Sequence, residues 1–323
     1  MKAIVRHEYG PPDVLELRDV DKPVAEDDEV LVRVHAAGVN MADVDYMLGR
    51  PGSARLITGL RGPRNLVLGL DVAGQVEAVG PDVTRFQLGD EVFGDLTEHG
   101  YGGFAEYACA REDAFARKPV NLTFDEAATV PQTGVMALQG LRGKRPIRPG
   151  HKVLINGAGG NIGPFAVQIA KSFGAEVTGV DRPEKLDMVR SVGAYHVIDY
   201  IKEDVVFGDQ RYDRILDVAA SHSIFEWKRV LAPGGVYVVV PNSMSGLFVA
   251  GLIGPLISIA GGRKMGMQTG QPFDKDDVAF LTGLIEAGKV APVIDRRYPL
   301  DEVPEALRYQ MEGHPIGKVV IQV

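Results

Sequence analysis

The chain has 323 residues, with 35 lysines and arginines against 43 aspartates and glutamates, so its formal net charge is −8. That length exceeds what one hydrophobic core usually supports and predicts two domains. Since no lysine- or arginine-rich tract stands out, the sequence argues against a nucleic-acid-binding surface. Cys109 is the only cysteine, which excludes an intramolecular disulfide and a cysteine-rich metal site.

The amino terminus and the most apolar segment bear on location. Residues 1–6 are typical of a β-strand and lack the apolar core of a secretory signal, which favours a reducing cytoplasm. Residues 247–260 are the most apolar stretch, but glycines and Pro255 interrupt it, and spanning a bilayer takes about 20 residues. We therefore expect no transmembrane segment and interpret this stretch as a buried helix, a cleft wall or a subunit contact.

The amino-terminal third of the chain is β-rich. Residues 30–34 alternate in hydrophobicity, and 74–80 and 89–94 are further strand patterns beside glycines. Crossover helices are scarce in this part, so it does not predict a parallel βαβ array.

From residue 123 onward the pattern changes to alternating helices and strands. This alternation predicts a doubly wound parallel sheet, followed by a carboxy-terminal helix, helix and strand. The predicted helices are 125–128, 134–141, 162–173, 184–192, 276–287 and 303–311, and the predicted strands are 152–156, 176–180, 197–199, 212–218, 235–240 and 317–323.

Residues 152–163 hold the most specific motif. A β-type run enters a cluster of Gly157, Gly159, Gly160 and Gly163, and a helical pattern leaves it. A strand, a tight turn and a helix N-terminus in this order suit a pyrophosphate, because the turn needs backbone freedom and the phosphates need close approach to N–H groups. Asp181 ends the next strand 24 residues after Gly157, near the spacing of a ribose-binding carboxylate. The alternative is a glycine-rich turn without a ligand.

Together these residues resemble the medium-chain dehydrogenase/reductase superfamily, and most closely its zinc-free quinone oxidoreductase and zeta-crystallin branch. The resemblance implies an α/β protein with a GroES-like β domain (1–121 and 271–323) and a Rossmann domain with a doubly wound parallel sheet (122–270). It also implies a substrate cleft between the domains and a homodimer. The landmarks, in chain order, are 38–40, 67–74, 89–92, 102–107, the glycine cluster, 193–194 with 197–200, 298–300 and 317–320.

The positions that hold zinc in other members of the superfamily are changed here. Zinc enzymes place cysteine after a Gly-Val pair and His-Glu after a second glycine, where this chain has Asn40, Leu70 and Asp71. Leucine cannot ligate a metal, and asparagine is a poor zinc ligand. The four-cysteine lobe is also missing, and the seven histidines show neither HxxxH nor HxH spacing. We therefore predict no metal.

Two residues are catalytic candidates. Without a Lewis acid, a substrate that is already electrophilic is favoured. Asn40 matches the asparagine that faces the nicotinamide and substrate in the zinc-free branch; the alternative is a turn asparagine. Tyr46 has two interpretations, as a phenol that donates to a substrate carbonyl or as a half-buried aromatic residue with a satisfied hydroxyl. Asp43 is interpreted as structural.

The cofactor candidates lie where the resemblance places a dinucleotide. Backbone N–H groups of Gly159, Gly160, Asn161 and Ile162 are expected at the pyrophosphate, and Thr133 is expected on the nicotinamide side. Loops after the carboxyl ends of parallel strands line such a crevice, which adds four residues to the prediction. These four are Ala219, Val240, Pro241 and Asn242.

Three residues give conflicting indications about the choice between NADPH and NADH. Asp181 favours NADH, because a carboxylate repels a 2′-phosphate, whereas Arg182 and Lys185 follow it and have the charge to clamp that phosphate. The zinc-free branch mostly uses NADPH. We expect NADPH, with NADH as the alternative.

The predicted function is zinc-independent, NAD(P)H-dependent hydride transfer to a quinone or an α,β-unsaturated carbonyl compound. A second enzymatic alternative is an enoyl-thioester reductase, with 247–260 lining a tunnel for its acyl tail. A third alternative, from a different class, is a cofactor-binding, crystallin-like protein without turnover.

Overall fold

The computed structural model describes residues 1–143, 145–240, 262–267 and 271–323. The chain divides into two compact units. The first comprises Met1–Val135, Pro272–Thr282 and Pro292–Val323, and the second comprises Met136–Gln271 and Gly283–Ala291. Both chain ends therefore belong to the first unit. The domain limits given above at residues 121 and 271 stay a prediction.

The secondary structure changes along the chain from mostly strands to alternating strands and helices. The strands are β1 (Lys2–Val5), β2 (Glu16–Asp19), β3 (Glu29–Val39), β4 (Asp71–Val79), β5 (Glu91–Asp95), β6 (Tyr107–Arg111), β7 (Phe115–Arg117), β8 (Lys152–Asn156), β9 (Glu176–Asp181), β10 (His196–Asp199), β11 (Tyr212–Asp217), β12 (Leu231–Val239), β13 (Lys264–Met267), β14 (Ile294–Pro299) and β15 (Lys318–Gln322). The α-helices are α1 (Met41–Leu48), α2 (Arg55–Thr58), α3 (Phe124–Ala127), α4 (Pro131–Leu141), α5 (Gly163–Ser172), α6 (Leu186–Ser191), α7 (Ile224–Val230), α8 (Lys275–Glu286) and α9 (Val303–Met311).

The first unit is built on a mainly antiparallel sheet. Its strand order is β14-β15-β3-β4-β5-β7, with β6 also paired to β3, and only β14 and β15 run parallel. Strand β3 is central, and its alternate residues Val30, Val32 and Val34 are buried in the core of this unit. Leu31 and residues 36–39 are buried as well, so β3 is covered on both faces over most of its length. The predicted β domain is confirmed.

The second unit contains a six-stranded sheet with strand order β10-β9-β8-β11-β12-β13, and every pairing in it is parallel. This order is that of a doubly wound dinucleotide-binding fold, in which the strand order, not the strand direction, reverses between β8 and β11. The predicted parallel sheet is therefore confirmed. The sequence did not reveal β13, because its residues, Lys-Met-Gly-Met, include no β-branched or aromatic side chain.

The predicted helices are present with small shifts of their ends. The helix predicted at 184–192 begins as a 3₁₀ turn over Pro183–Lys185 and continues as α6. The apolar stretch 247–260 lies outside the described residues. Within the described ranges, no helix has the length and apolar character needed to cross a membrane.

Candidate cofactor and substrate sites

The glycine turn joins β8 to α5 at the carboxyl edge of the parallel sheet. Gly157 has φ of +85°, a left-handed conformation that a side chain would strain. A Cβ atom on Gly163 would lie 2.3 Å from the carbonyl carbon and oxygen of Ala158, so only glycine lets the helix start this close to the turn. Gly160 has open space around it. The three glycines thus have different roles. Gly157 allows the turn, Gly163 allows close packing of the helix, and Gly160 leaves space for a ligand.

The N-terminus of α5 supplies hydrogen-bond donors that the protein leaves unused. The backbone N–H groups of Asn161, Ile162 and Gly163 make no hydrogen bond with any described residue. Such groups at a helix N-terminus form a ready site for phosphate, because the N–H groups and the helix dipole both favour negative charge. The residues present therefore fit the pyrophosphate of a dinucleotide. Asn161 does not have a positive φ, so the turn does not depend on asparagine there.

Asp181 is held against the glycine turn from the end of β9. Its Oδ2 atom accepts the Gly159 N–H at 2.6 Å, and its Oδ1 atom accepts the Arg182 N–H at 2.8 Å. The Lys185 side chain covers the same glycine. A Cβ atom added to Gly159 would lie only 2.6 Å from the Cβ atom of Lys185. Arg182 is exposed, and its Nε donates to the Tyr200 hydroxyl at 3.0 Å. The structure thus brings Gly159, Asp181 and Lys185 together and engages the Gly159 N–H with the carboxylate.

A buried carboxylate that the sequence reasoning missed supports the same edge of the sheet. Asp217, fully buried at the end of β11, accepts hydrogen bonds from Asn156 Nδ2 (2.7 Å), Ala220 N (2.8 Å) and the Tyr237 hydroxyl (3.0 Å). Burial raises the pKa of Asp217, and these donors oppose the shift. The network ties the loop after β11 to β8 at the reversal point of the sheet. The sequence signal for it was that Asn156 ends one predicted strand and Asp217 lies one residue before the end of another.

The other predicted cofactor residues have different surroundings. The Ala219 N–H donates to the Asn156 carbonyl at 3.3 Å, and the Val240 N–H donates to the Asp217 carbonyl at 2.9 Å, so both flank the glycine turn edge. Thr133 lies in the first unit, where its buried hydroxyl donates to the Thr129 carbonyl at 2.6 Å. Pro241 and Asn242 lie outside the described residues.

Asn40 is the centre of a buried polar network in the first unit. It is the N-cap of α1, and its backbone N–H donates to Asp43 Oδ2 at 2.8 Å in a capping box. Its side chain links two charges, because Lys318 Nζ donates to Asn40 Oδ1 at 2.6 Å while Asn40 Nδ2 donates to Asp71 Oδ2 at 3.0 Å. Asn40 is 1% exposed. Its amide therefore joins Lys318 to Asp71 inside the protein.

Burial controls the charges of this network, which we call the Asn40 network (Asn40, Asp43, Asp71 and Lys318). Burial raises the pKa of Asp43 to about 7, opposed by the Asn40 N–H and by the charge of Lys318. Burial also raises the pKa of Asp71 and lowers that of Lys318, while their mutual attraction opposes both shifts. Lys318 Nζ lies 4.0 Å from Asp71 Oδ2, and the backbone N–H of Gln132 also donates to Asp71. In the sequence, Lys318 was notable only as part of the family landmark at 317–320.

Tyr46 belongs to a cluster of aromatic and cationic side chains on the same unit. Its ring packs on that of Tyr101 with 4.9 Å between centroids, and its backbone carbonyl accepts a hydrogen bond from the buried Arg6 guanidinium. Arg6 and Arg55 also lie over the ring of Tyr9, with 5.3 and 4.6 Å from the guanidinium carbons to the centroid. Burial raises the pKa of Tyr46, so its phenol is protonated at neutral pH and can serve as a hydrogen-bond donor.

The positions that correspond to zinc ligands are occupied by the Asn40 network and a core residue. Leu70 is fully buried, and Asn40 is hydrogen-bonded to Asp71. Within the part of the chain that the structure describes, no group of three or more histidine, cysteine or acidic side chains is placed to hold a metal ion. Cys109 lies in β6, half-buried, where burial raises the pKa of its thiol to about 12.

Comparison with known proteins agrees with this architecture. Residues 26–120 match the model of the alcohol dehydrogenase GroES-like domain, and residues 192–321 match that of the zinc-binding dehydrogenases. A 2-methylene-furan-3-one reductase of Solanum lycopersicum is 34% identical over 99% of this chain and 79% of its own length. The human quinone oxidoreductase is 31% identical over 99% of this chain and 97% of its own. The chain belongs to the medium-chain dehydrogenase/reductase superfamily, in its quinone oxidoreductase branch.

Solved structures of the superfamily share the whole fold. A quinone oxidoreductase from Coxiella burnetii superposes with a TM-score of 0.88 at 29% identity, covering 100% of this chain and 99% of its own. The CurK enoyl reductase superposes with a TM-score of 0.83 at 26% identity, covering 99% and 98%. In this quinone oxidoreductase-branch protein, the glycine turn is the feature that points to chemistry. The family uses a nicotinamide cofactor.

Proposed function

We propose that this protein is an NAD(P)H-dependent reductase of quinones and α,β-unsaturated carbonyl compounds. The observation that carries the proposal is the glycine turn, where the N–H groups of Asn161, Ile162 and Gly163 have no partner in the described part of the chain and fit a dinucleotide pyrophosphate. Relatives named as a 2-methylene-furan-3-one reductase, an alkenal/one oxidoreductase and a quinone oxidoreductase support the substrate class. When bound, the reduced nicotinamide supplies the hydride.

The residues that would hold the cofactor lie at the carboxyl edge of the parallel sheet. Asn161, Ile162 and Gly163 would donate their N–H groups to the pyrophosphate, and Gly160 would leave room for its approach. Asp181 holds the Gly159 N–H, so this group binds phosphate only after that hydrogen bond opens. The Gly160 N–H, also predicted at the pyrophosphate, donates to the Gly157 carbonyl at 3.4 Å, so this edge offers three ready donors and two that are engaged.

We propose NADPH as the preferred cofactor. Arg182 is exposed beside Asp181, and Tyr200 holds its guanidinium through a 3.0 Å hydrogen bond, which leaves a fixed positive charge for a 2′-phosphate. The two Asp181 oxygens each accept a backbone N–H, which disperses part of the carboxylate charge. Asp181 still opposes a 2′-phosphate, so we expect a moderate preference rather than exclusion of NADH.

On the substrate side, we propose that Tyr46 donates a hydrogen bond to the carbonyl oxygen on which negative charge develops. Its phenol is neutral at physiological pH, and the Arg6 guanidinium on its backbone carbonyl fixes the helix that carries it. Asn40 is proposed as a positioning residue, because its side-chain amide is already hydrogen-bonded to Lys318 and Asp71. The chain's own groups would thus orient the substrate and stabilise charge.

A second candidate, reduction of an enoyl thioester, is favoured by the similarity to the CurK enoyl reductase. The two substrate classes share the conjugated carbonyl group and differ in the thioester and its chain. We expect apparent KM values to fall with acyl chain length if a thioester is the substrate, and to be insensitive to chain length if a small enone is.

The test is steady-state oxidation of NADPH and of NADH with phenanthrenequinone, a linear enone and a short enoyl thioester, each with and without a chelator. We expect turnover that the chelator does not change, and a lower kcat in Tyr46→Phe with little change in cofactor affinity. Cofactor binding without turnover of any acceptor would overturn the reductase proposal and leave a crystallin-like binding role. Size-exclusion chromatography with light scattering would test the expected homodimer.

A further inference from the structure

A groove of about 420 Å³ lies in the second unit, among residues at the starts of its central strands. This volume falls within the range of about 300–1,000 Å³ typical of small-molecule sites. We call it the basic groove, because three arginines and a histidine face one aspartate in it. Its lining is Arg145, Pro146, Arg148, His151, Asp213, Arg214, Pro233, Gly234 and Val236.

Arg214 is the unusual member of the basic groove, because its positive charge is buried without an acidic partner. Its side chain is on β11, 3% exposed, and it forms no ion pair with any described residue. Two of its five N–H bonds are used, with Nη1 donating to the Gly140 carbonyl at 3.2 Å and Nη2 to the Arg145 carbonyl. Burial lowers the pKa of Arg214 to about 10. An uncompensated buried charge is costly, and a bound anion would offset that cost.

The other cationic groups of the groove are also without carboxylate partners among the described residues. Arg145 Nη1 donates to the carbonyls of Gly234 (2.5 Å) and Gly262 (2.8 Å), which holds its guanidinium in place. His151 Nδ1 accepts the Arg148 N–H at 3.2 Å, so the neutral ring carries its proton on Nε2 and presents a donor. The Arg148 guanidinium makes no hydrogen bond or ion pair with a residue that the structure describes.

The one acidic lining residue does not neutralise this charge. Asp213 Oδ2 accepts the backbone N–H of Lys152 at 2.9 Å, where β8 begins, and Asp213 makes no ion pair with a described side chain. Three guanidinium groups and an imidazole therefore surround a groove with a single carboxylate. This concentration of positive charge is local, since the whole chain carries a formal charge of −8.

We propose that the basic groove binds a phosphate group, either free inorganic phosphate or the phosphoryl group of a small organic ligand. Guanidinium groups bind phosphate oxygens in paired, charge-assisted hydrogen bonds, and Arg214 and Arg148 have N–H groups to spare. The groove is separate from the glycine turn. His151 precedes β8 and Gly157 follows it, and the six residue steps between them along the extended strand put the two about 20 Å apart. The proposal therefore stands whether or not the reductase function does.

Isothermal titration calorimetry at constant ionic strength tests the proposal, with inorganic phosphate and glycerol phosphate as two separate probes. We expect saturable binding of at least one probe to the wild type and about tenfold weaker binding to Arg148→Ser, because one charge-assisted contact is lost. Arg190→Ser is the matched control, since it removes an equal charge from an exposed position on α6 of the same unit. Binding of the monoester alone would identify a phosphorylated ligand, and binding of both would identify the phosphate group as the recognised part.

Repeating the titration with saturating NADPH separates the groove from the cofactor edge. Phosphate binding that persists would support a separate site. Binding lost on addition of NADPH would place the anion at the glycine turn and overturn the proposal. Equal weakening in Arg148→Ser and Arg190→Ser would reveal nonspecific charge attraction, and no saturable binding of either probe would also overturn it.

Discussion

The glycine turn and the Asn40 network differ in whether their polar groups have hydrogen-bond partners within the protein. At the turn, the N–H groups of Asn161, Ile162 and Gly163 have no partner among the described residues, and these are the groups that a charged ligand needs. In the Asn40 network, the Asn40 amide, Lys318 and Asp71 are buried and bonded to one another. The contrast teaches that unpaired donors mark a binding site, whereas buried charges that satisfy one another mark a framework that holds one.

The largest effect is expected from removing the cation of the Asn40 network. Lys318→Met would leave the buried Asp71 carboxylate without its counter-charge, and breaking a buried pair costs about 3–5 kcal/mol. We expect a large drop in the thermal unfolding midpoint. The double variant Lys318→Met/Asp71→Asn should be more stable than the single one, because it removes both charges. Equal instability of the two variants would show that charge pairing is not what Lys318 contributes.

The glycine turn should be broken by a single methyl group at its packing position. In Gly163→Ala the new Cβ would lie 2.3 Å from the Ala158 carbonyl, and overpacking of this kind costs about 1–3 kcal/mol. Both the unfolding midpoint and the cofactor affinity should fall. Gly160→Ala is the matched control, because the nearest atom to its Cβ is 3.8 Å away, and its unfolding midpoint should stay near that of the wild type.

The pKa of Asp43 predicts a pH-dependent stability difference. Because burial raises this pKa to about 7, the folded protein binds more protons here than the unfolded chain, and stability is lost as pH rises from about 4 through 7. The free energy of unfolding of Asp43→Asn relative to that of the wild type should increase as pH rises from about 4 to 7. It should stay higher above pH 7. Thermal unfolding of both proteins at a series of pH values measures the difference, and a difference that is constant with pH would contradict the assignment.

The smallest effect concerns cofactor choice at the turn. Asp181→Ser removes a negative charge beside the expected 2′-phosphate and should raise the NADPH-to-NADH affinity ratio by about tenfold. Fluorescence titration with each cofactor gives the ratio. Asp187→Ser, an equal charge change at an exposed position of α6, should leave it unaltered. An unchanged ratio in Asp181→Ser would show that this carboxylate serves only to hold the Gly159 N–H.

Much of the fold was predictable because its signals are local. The valines of residues 30–34 predict a strand, and the glycine cluster followed by a helical pattern predicts a βα turn within a dozen residues. The predicted parallel sheet and antiparallel sheet are both confirmed. Strand β13 was missed because its residues carry no strand preference and pair only when the sheet exists.

The sequence by itself determined the family, from short motifs in a fixed order along the chain, and it determined the strands of the two sheets and the glycine turn from residues close together in the chain. Only the tertiary structure decided what Asn40 bonds to, because Lys318 is 278 residues away in the chain. The same holds for Asp217 beneath the turn and Arg214 in the basic groove, whose partners come from separate strands and helices. Long-range polar contacts follow no sequence period, so the fold must bring them together before their chemistry can be read.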